Sequence, residues 1–210
     1  GPVKISQSRQ RLYAAHKVRF KGFIHDTLDE YLHAGFHSTV FDTQEVCVYD
    51  GDRLIAVSFF DLGDRSMASL LALYDEEYSE YSLGMYTMLK EVEFGQHTGR
   101  KWYYPGYVLD LPSAFDYKLK LGEMEYYTPN KRWGKYANFN KEQSVAHRLR
   151  TAMHQLASAL REENIPAKTW YYPYFSMGYM PLWKDRFLHL PWILELGHDL
   201  DGMCAIGYCA

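Results

Sequence analysis

Asp50-Gly51-Asp52 lies between two apolar runs, Val46–Tyr49 and Leu54–Asp61. An Asp-Gly step supplies the turn geometry of a tight hairpin, so the two runs are expected to pair antiparallel. Ala68–Tyr74 reads as a third strand. Ser82 then follows as the N-cap of a helix of some 14 residues, with Met85, Met88, Leu89, Val92 and Glu93 along it to Thr98-Gly99. Trp102–Leu109 and Glu123–Thr128 are expected strands. Residues 6–33 read as helical, with a break at Phe20-Lys21-Gly22-Phe23. Gln143–Glu163 carries Val145, Leu149, Ala152, Met153, Leu156, Ala159 and Leu160 at helical spacing and stops at Asn164-Ile165-Pro166. Lys168–Tyr174 and Trp192–Leu196 are late strands. The fold class is α/β, expected as one domain over residues 3–210 with the helical segment 3–40 packed on it. Gly1-Pro2 reads as an expression scar.

Composition narrows the function. A net charge of −3 excludes a protein that coats nucleic acid over its whole surface, but the cations cluster. Residues 1–25 hold Lys4, Arg9, Arg11, Lys17, Arg19 and Lys21 and no acid; residues 131–150 hold Lys131, Arg132, Lys135, Lys141, Arg148 and Arg150 against Glu142. Arg9, Arg11 and Arg19, and Lys131, Arg132 and Lys135, are therefore candidate contacts to one nucleic-acid end, with solvated helix faces as the alternative. Cys47, Cys204 and Cys209 form neither a disulfide framework nor paired metal-ligand spacing, so a reducing cytoplasm without a metal site is expected. No apolar run approaches the roughly 18 residues of a membrane span.

The residues suited to chemistry gather between Asp52 and Lys118. Ser82-Leu83-Gly84 opens a helix, where free N–H groups and the helix dipole favour an anion and Gly84 permits close approach; a plain N-cap is the alternative. Asp75, at a strand end, could order an attacking ammonium, with Asp61 the second choice; a turn aspartate capping the next segment is the alternative. Tyr103-Tyr104-Pro105-Gly106-Tyr107 is an aromatic strand interrupted by Pro and Gly, a pattern that marks a bulge or a close ligand. Tyr104, Gly106 and Tyr107 could meet a base or line a pocket. Phe115-Asp116-Tyr117-Lys118 follows, with Lys118 placed to meet a phosphate or an acidic side chain.

The ordered set Leu54-Ile55-Ala56-Val57 with Asp61, Tyr74-Asp75, Ser82-Leu83-Gly84, Tyr103–Tyr107 and Tyr117-Lys118 resembles the catalytic half of arginyl-tRNA–protein transferases. The resemblance implies a GCN5-related acyltransferase-like mixed sheet flanked by helices. It implies transfer of an amino acid, expected to be arginine, from charged tRNA to the α-amine of a protein or peptide, in the cytoplasm. Aminoacyl-tRNA is then the co-substrate and no further cofactor is expected. The family's N-terminal cysteine-cluster domain has no counterpart in this sequence, so a minimal bacterial form or a truncated one is expected. Where the family has Met-Arg before Tyr-Lys, this chain has Phe115-Asp116, a change of charge that bears on which amino acid or acceptor is selected. Two other readings share the scaffold: an acyl-CoA-dependent N-acetyltransferase, and a non-catalytic module that holds tRNA or a peptide terminus. The acyl-CoA enzymes usually carry a longer glycine-bearing loop where this chain has Glu76, Glu77 and Glu80 ahead of a single glycine.

Overall fold

The computed structural model describes residues 1–19, 24–33, 40–128, 130–171, 192–199 and 202–207. The sequence reading took residues 3–210 as one domain; packing divides the chain into two compact units, Gly1–Met124 and Glu125–Ala210. Each is described by itself.

The first unit is built on the expected hairpin. Strands β1 (Asp42–Asp50) and β2 (Arg53–Leu62) pair antiparallel around Gly51, whose φ of +56° is the left-handed geometry that the turn requires. Strand β3 (Ser66–Tyr74) pairs antiparallel with β2. A 3-10 helix, Glu76–Tyr81, and helix α3 (Leu83–His97) then lead back to β4 (Trp102–Tyr104), which runs parallel to β3 and completes the order β1-β2-β3-β4. The result is a mixed sheet flanked by helices, consistent with a GCN5-like acyltransferase fold.

Strand β2 is buried over most of its length because both of its faces are covered. On one face Val57 and Phe59 join Leu73 and the side chains Leu12 and Tyr13 of helix α1 (Gln7–Lys17), with Leu28 of helix α2 (Leu28–His33). On the other, Ala56 packs near Leu83, and Phe60 meets Phe94 edge-to-face at 5.6 Å. Gly95 lets α3 approach β3 closely: a Cβ there would lie 2.6 Å from the Met67 sulfur. The Phe20–Phe23 step lies outside the described residues.

Two basic residues of α1 prove to be part of this core. Arg9 is 8% exposed, and its guanidinium pairs with Glu45 on β1, Nε donating at 2.8 Å. His16 is buried against Tyr74 at 5.8 Å. Burial, aided by the Arg19 charge, pushes its imidazole down to about 4. A cation at a helix C-terminus gains roughly 0.3–1 kcal/mol, less than the ~3 kcal/mol this displacement represents, so desolvation wins. Because the folded value lies below the unfolded 6.5, stability is full above pH 6.5 and falls as the pH drops towards 4. Chemical denaturation at pH 7 and pH 4.5 should show wild type losing about 2 kcal/mol more than His16→Gln; equal losses would mean that folding does not lower the His16 pKa.

The second unit holds a two-stranded hairpin, β5 (Glu125–Tyr127) and β6 (Trp133–Lys135), then helix α4 (Val145–Glu162), and a sheet of β7 (Lys168–Tyr171), β8 (Trp192–Asp199) and β9 (Gly202–Gly207). Ser144 caps α4 by accepting from the His147 N–H at 3.0 Å. Leu149, Met153 and Ala157 pack with Leu194 as its core. The continuation of the expected strand from Lys168 to Tyr174 past Tyr171, and Cys209, lie outside the described residues. No described helix is long and apolar enough to cross a membrane.

Candidate functional site

Strand β4 is shorter than the expected Trp102–Leu109, and its end creates the site. It pairs with β3 only from Ser66↔Trp102 to Ala68↔Tyr104. Pro105 has no N–H to continue the ladder, and Gly106 takes φ +93°, so the chain leaves the sheet there. Strand β3 continues to Tyr74 with no strand on that side among the described residues. The two parallel strands thus form a fork.

The residues that enter this fork come from three elements. Leu83 and Gly84 begin α3; a Cβ on Gly84 would meet nothing within 4 Å but the Tyr117 hydroxyl, at 3.9 Å. Tyr117 and Lys118 come from a 3-10 helix, Asp116–Leu121. Tyr103 comes from β4. Burial raises the hydroxyl pKa values of Tyr117 and Tyr103, so both remain neutral donors at any physiological pH. Phe115 packs edge-to-face on the exposed Tyr107 at 5.3 Å. Tyr104 is partly exposed beside them, at 39%.

Lys118 is the cation of this group. Its ammonium lies 5.0 Å from the Phe115 ring centre and 5.5 Å from that of Tyr107, donates to the Tyr107 carbonyl at 3.4 Å, and stands 3.1 Å from where a Gly106 Cβ would be. Among the described residues it makes no ion pair. Desolvation alone pulls its pKa down. A half-buried ammonium held on aromatic faces, with no carboxylate, is suited to receive an anion.

Other expected residues are placed differently. Ser82 adopts a left-handed conformation (φ 52°, ψ 42°) and makes no side-chain cap bond, because the chain enters α3 directly from the preceding 3-10 helix. Asp75 caps that 3-10 helix, accepting from the Glu77 N–H at 3.2 Å, and pairs with Arg53 at 2.5 Å. Both its oxygens are thereby engaged. Asp61 accepts from the Thr43 hydroxyl at 2.6 Å. The Asp75 N–H bonds the Ile55 carbonyl, so the two aspartates lie at opposite ends of β2, about 20 Å apart at ~3.3 Å per residue, and do not share a site. Asp116 accepts from the Ser113 N–H and hydroxyl at 3.2 and 3.0 Å and holds its own loop.

The two basic sets also divide. Arg9 is internal, Arg11 is exposed, and Arg19 lies over the Tyr74 ring at 4.7 Å with Glu76 at 3.8 Å, so these three do not form one patch. Lys131, Arg132 and Lys135 are all exposed on the β5–β6 hairpin.

Sequence reasoning missed Glu91. The sequence pointed to Met85, Met88, Leu89 and Val92; of these Met88 lies in the buried stripe of α3, which is Leu83, Thr87, Met88, Glu91 and Gly95, and Leu89 is 49% exposed. Glu91 is fully buried beneath the fork. It accepts from the Tyr103 hydroxyl at 2.7 Å, while its Oε1 and the Ser58 hydroxyl have no partner in hydrogen-bond geometry. The four-residue spacing Leu83-Thr87-Glu91-Gly95 was the available signal.

Burial raises the Glu91 pKa, with the Tyr103 hydrogen bond and the nearby hydroxyls of Ser58 and Ser69 opposing it. A folded value above the unfolded one gives stability that is complete at low pH and is lost as the pH rises through the folded value. Glu91→Gln, which keeps an acceptor for Tyr103 without a charge, should flatten this dependence. Glu91→Leu should cost about 1–3 kcal/mol by orphaning the Tyr103 hydroxyl. Urea unfolding of both variants across pH 5–9 checks this; identical profiles for wild type and Gln would mean that folding does not raise the Glu91 pKa.

No group of three His, Cys, Asp or Glu side chains converges as a metal site among the described residues. The fork offers aromatic walls, a neutral hydroxyl pair, an unpaired cation at the rim and a helix start without its own side-chain cap. Such an arrangement can bind and orient two reactants.

A family model described as "Arginine-tRNA-protein transferase, C terminus" matches residues 5–128, which contain the whole fork. The chain is also similar to proteins named aspartate/glutamate leucyltransferase. One from Vibrio vulnificus strain CMCP6 is 34% identical over 91 residues, 43% of this chain and 38% of that protein. One from Aeromonas hydrophila is 26% identical over 121 residues, 58% of this chain and 43% of that protein, and one from Campylobacter jejuni is 24% identical over 115 residues, 55% and 42%. The matched stretch spans about two fifths of the length of these relatives.

Proposed function

This chain belongs to the arginine-tRNA-protein transferase family through the family's C-terminal part, and on that premise we propose that it moves an amino acid from charged tRNA onto the α-amine of a protein that begins with Asp or Glu. The observation that carries the reading is Lys118, a desolvated cation at the fork with no carboxylate partner among the described residues. An acidic side chain at the acceptor's first position would supply that partner. The relatives' names specify such acceptors.

Two donors fit the family. Its description names arginine, the amino acid expected from the sequence, whereas the relatives' names specify leucine. The fork's aromatic walls suit an apolar side chain. Its carboxylate, Glu91, is buried and bonded to Tyr103, which leaves it poorly placed for a guanidinium. We therefore place leucine first and arginine second.

The chemistry makes modest demands on the protein. An aminoacyl ester is activated already, and an α-amine has a pKa of about 7.7–8.0, so a useful fraction is neutral nucleophile near neutral pH. The amine nitrogen attacks the ester carbonyl, and the tRNA 3′-terminal ribose oxygen leaves and takes up a proton. Placement of amine against carbonyl is the main contribution in this reading, with the neutral hydroxyl of Tyr117 beside the path as a hydrogen-bond donor. Asp75, fixed by Arg53 and by its cap, acts through the loop that leads to α3.

Radiolabelled leucyl-tRNA and arginyl-tRNA, each incubated with peptides beginning with Asp, Glu, Ala or Lys, test the proposal. Label should pass to the Asp and Glu peptides, from leucyl-tRNA in preference. Acetylation from acetyl-CoA with no transfer from either tRNA would replace this reading with the N-acetyltransferase one. Binding of tRNA without any transfer would leave a non-catalytic module.

A further inference from the structure

Strand β5 closes the stretch that the family model matches, and the turn's cations and β6 lie beyond it. The register of the β5–β6 hairpin is Glu125↔Lys135, Tyr126↔Gly134 and Tyr127↔Trp133, so its side chains divide cleanly between two faces. The inner face is Tyr126, which packs on Phe139 at 4.9 Å and on Tyr136 at 6.5 Å; Gly134 opposite it leaves room for that ring. The outer face carries Glu125, Tyr127, Trp133 and Lys135, all exposed.

That outer face is unusual chemically. Tyr127 is 57% exposed and Trp133 51%, and their rings meet at 5.2 Å with a tilt of 56°, which leaves flat aromatic surface open to solvent. Two large aromatics side by side at the surface are costly unless something covers them. Cations stand at both ends of the pair: Lys135 beyond Trp133, and Lys131 and Arg132 in the turn. The turn is fixed. The Thr128 N–H donates to the Arg132 carbonyl at 2.8 Å, the Arg132 N–H donates to the Thr128 hydroxyl at 3.2 Å, and Lys131 takes φ +58°. None of the three cations makes an ion pair among the described residues, and Glu125 is the one acid of the hairpin.

We propose that this outer face is a stacking platform for single-stranded RNA, with Trp133 and Tyr127 against bases and Lys131, Arg132 and Lys135 against the adjoining phosphates. Flat aromatics accept any base because every base has a π face, and cations spaced along a strand follow the backbone; together they define a single-stranded site rather than a duplex one. An apolar protein partner would leave three unpaired cations at the rim, so the charge favours the nucleic acid. The proposal rests on the tRNA reading only for the source of the RNA: a tRNA ends in an unpaired segment of this kind.

Fluorescence anisotropy with a labelled single-stranded RNA pentamer ending in CCA tests it, with a heparin oligosaccharide of matched charge as a polyanion that lacks bases. Trp133→Ala should weaken RNA binding about 5- to 100-fold and leave heparin binding within about 2-fold. Trp133→Phe, which keeps a ring, should restore most of the loss and guards against misfolding of the alanine variant. The triple variant Lys131→Ala, Arg132→Ala, Lys135→Ala should weaken both probes and reduce the slope of log affinity against log salt by about 2. RNA affinity unchanged in Trp133→Ala, equal loss for RNA and heparin, or loss for an acceptor peptide in place of RNA would each overturn the platform. Because the readout is binding, the two ideas separate: Trp133-dependent RNA binding by a protein that transfers nothing would keep the platform and remove the transferase reading.

Discussion

Lys118→Glu should raise KM for peptides beginning with Asp or Glu by about 10²-fold or more, since truncating or reversing one partner of a desolvated charge pair costs 2–5 kcal/mol. In wild type the ammonium is held on Phe115 and Tyr107 with no acid beside it among the described residues, and in this reading the acceptor side chain supplies the carboxylate. Reversal places two carboxylates together. The same variant should gain measurable transfer to peptides beginning with Lys or Arg, and transfer to an Ala peptide should be nearly unaffected. Lys118→Met separates loss of attraction from repulsion and should fall between the two. The pH dependence carries a signature as well. Because burial lowers the lysine's pKa, acidic-peptide affinity should begin to decline at a lower pH than an ordinary lysine at ~10.4 would give. Steady-state kinetics with these five peptides check each point; equal losses for acidic and Ala peptides would assign Lys118 to the fold.

Gly84→Val should raise the donor KM at least 10-fold and leave kcat largely intact. The glycine begins α3, and the space a side chain would enter contains only the Tyr117 hydroxyl, so the variant has room to fold. Valine is no worse a helix former than glycine, and the helix should lose nothing in stability. Its branches would instead occupy the approach to the first turn, where the aminoacyl end of the donor is proposed to lie. Gly84→Ala should show a smaller rise in the same direction. Donor titrations followed by single-turnover transfer separate binding from rate, and a lowered kcat at unchanged KM would place the donor elsewhere.

The parts legible in the sequence are those fixed by local chemistry. Asp50-Gly51 announced the hairpin and Asn164-Ile165-Pro166 ended the long helix, whereas Pro105-Gly106, read as a bulge within a strand running to Leu109, is where β4 leaves the sheet. Its consequence, a three-residue strand and an open fork, follows only once β3 is known to be the partner. Residues defined by long-range partners were not legible. Arg9 reads as a surface cation until Glu45, 36 residues away, is seen beside it. Asp61 and Asp75 are equivalent candidates in the sequence, and the antiparallel register separates them along β2. Glu91 was hidden because a charged residue is ordinarily assigned to the exposed side of a helix, whereas Thr87 and Gly95 share its buried stripe. Strand β6 has too short a run in Trp133-Gly134-Lys135 to show any period.

The measurement that most directly tests the fork as the meeting place of donor and acceptor is photocrosslinking with an amide-linked aminoacyl-tRNA analogue whose amino acid is photoleucine, mapped by mass spectrometry. The account predicts attachment within Leu83–Met85 and Tyr103–Lys118, reduced by Gly84→Val. Attachment confined to residues outside these two segments, unchanged by Gly84→Val, would contradict it.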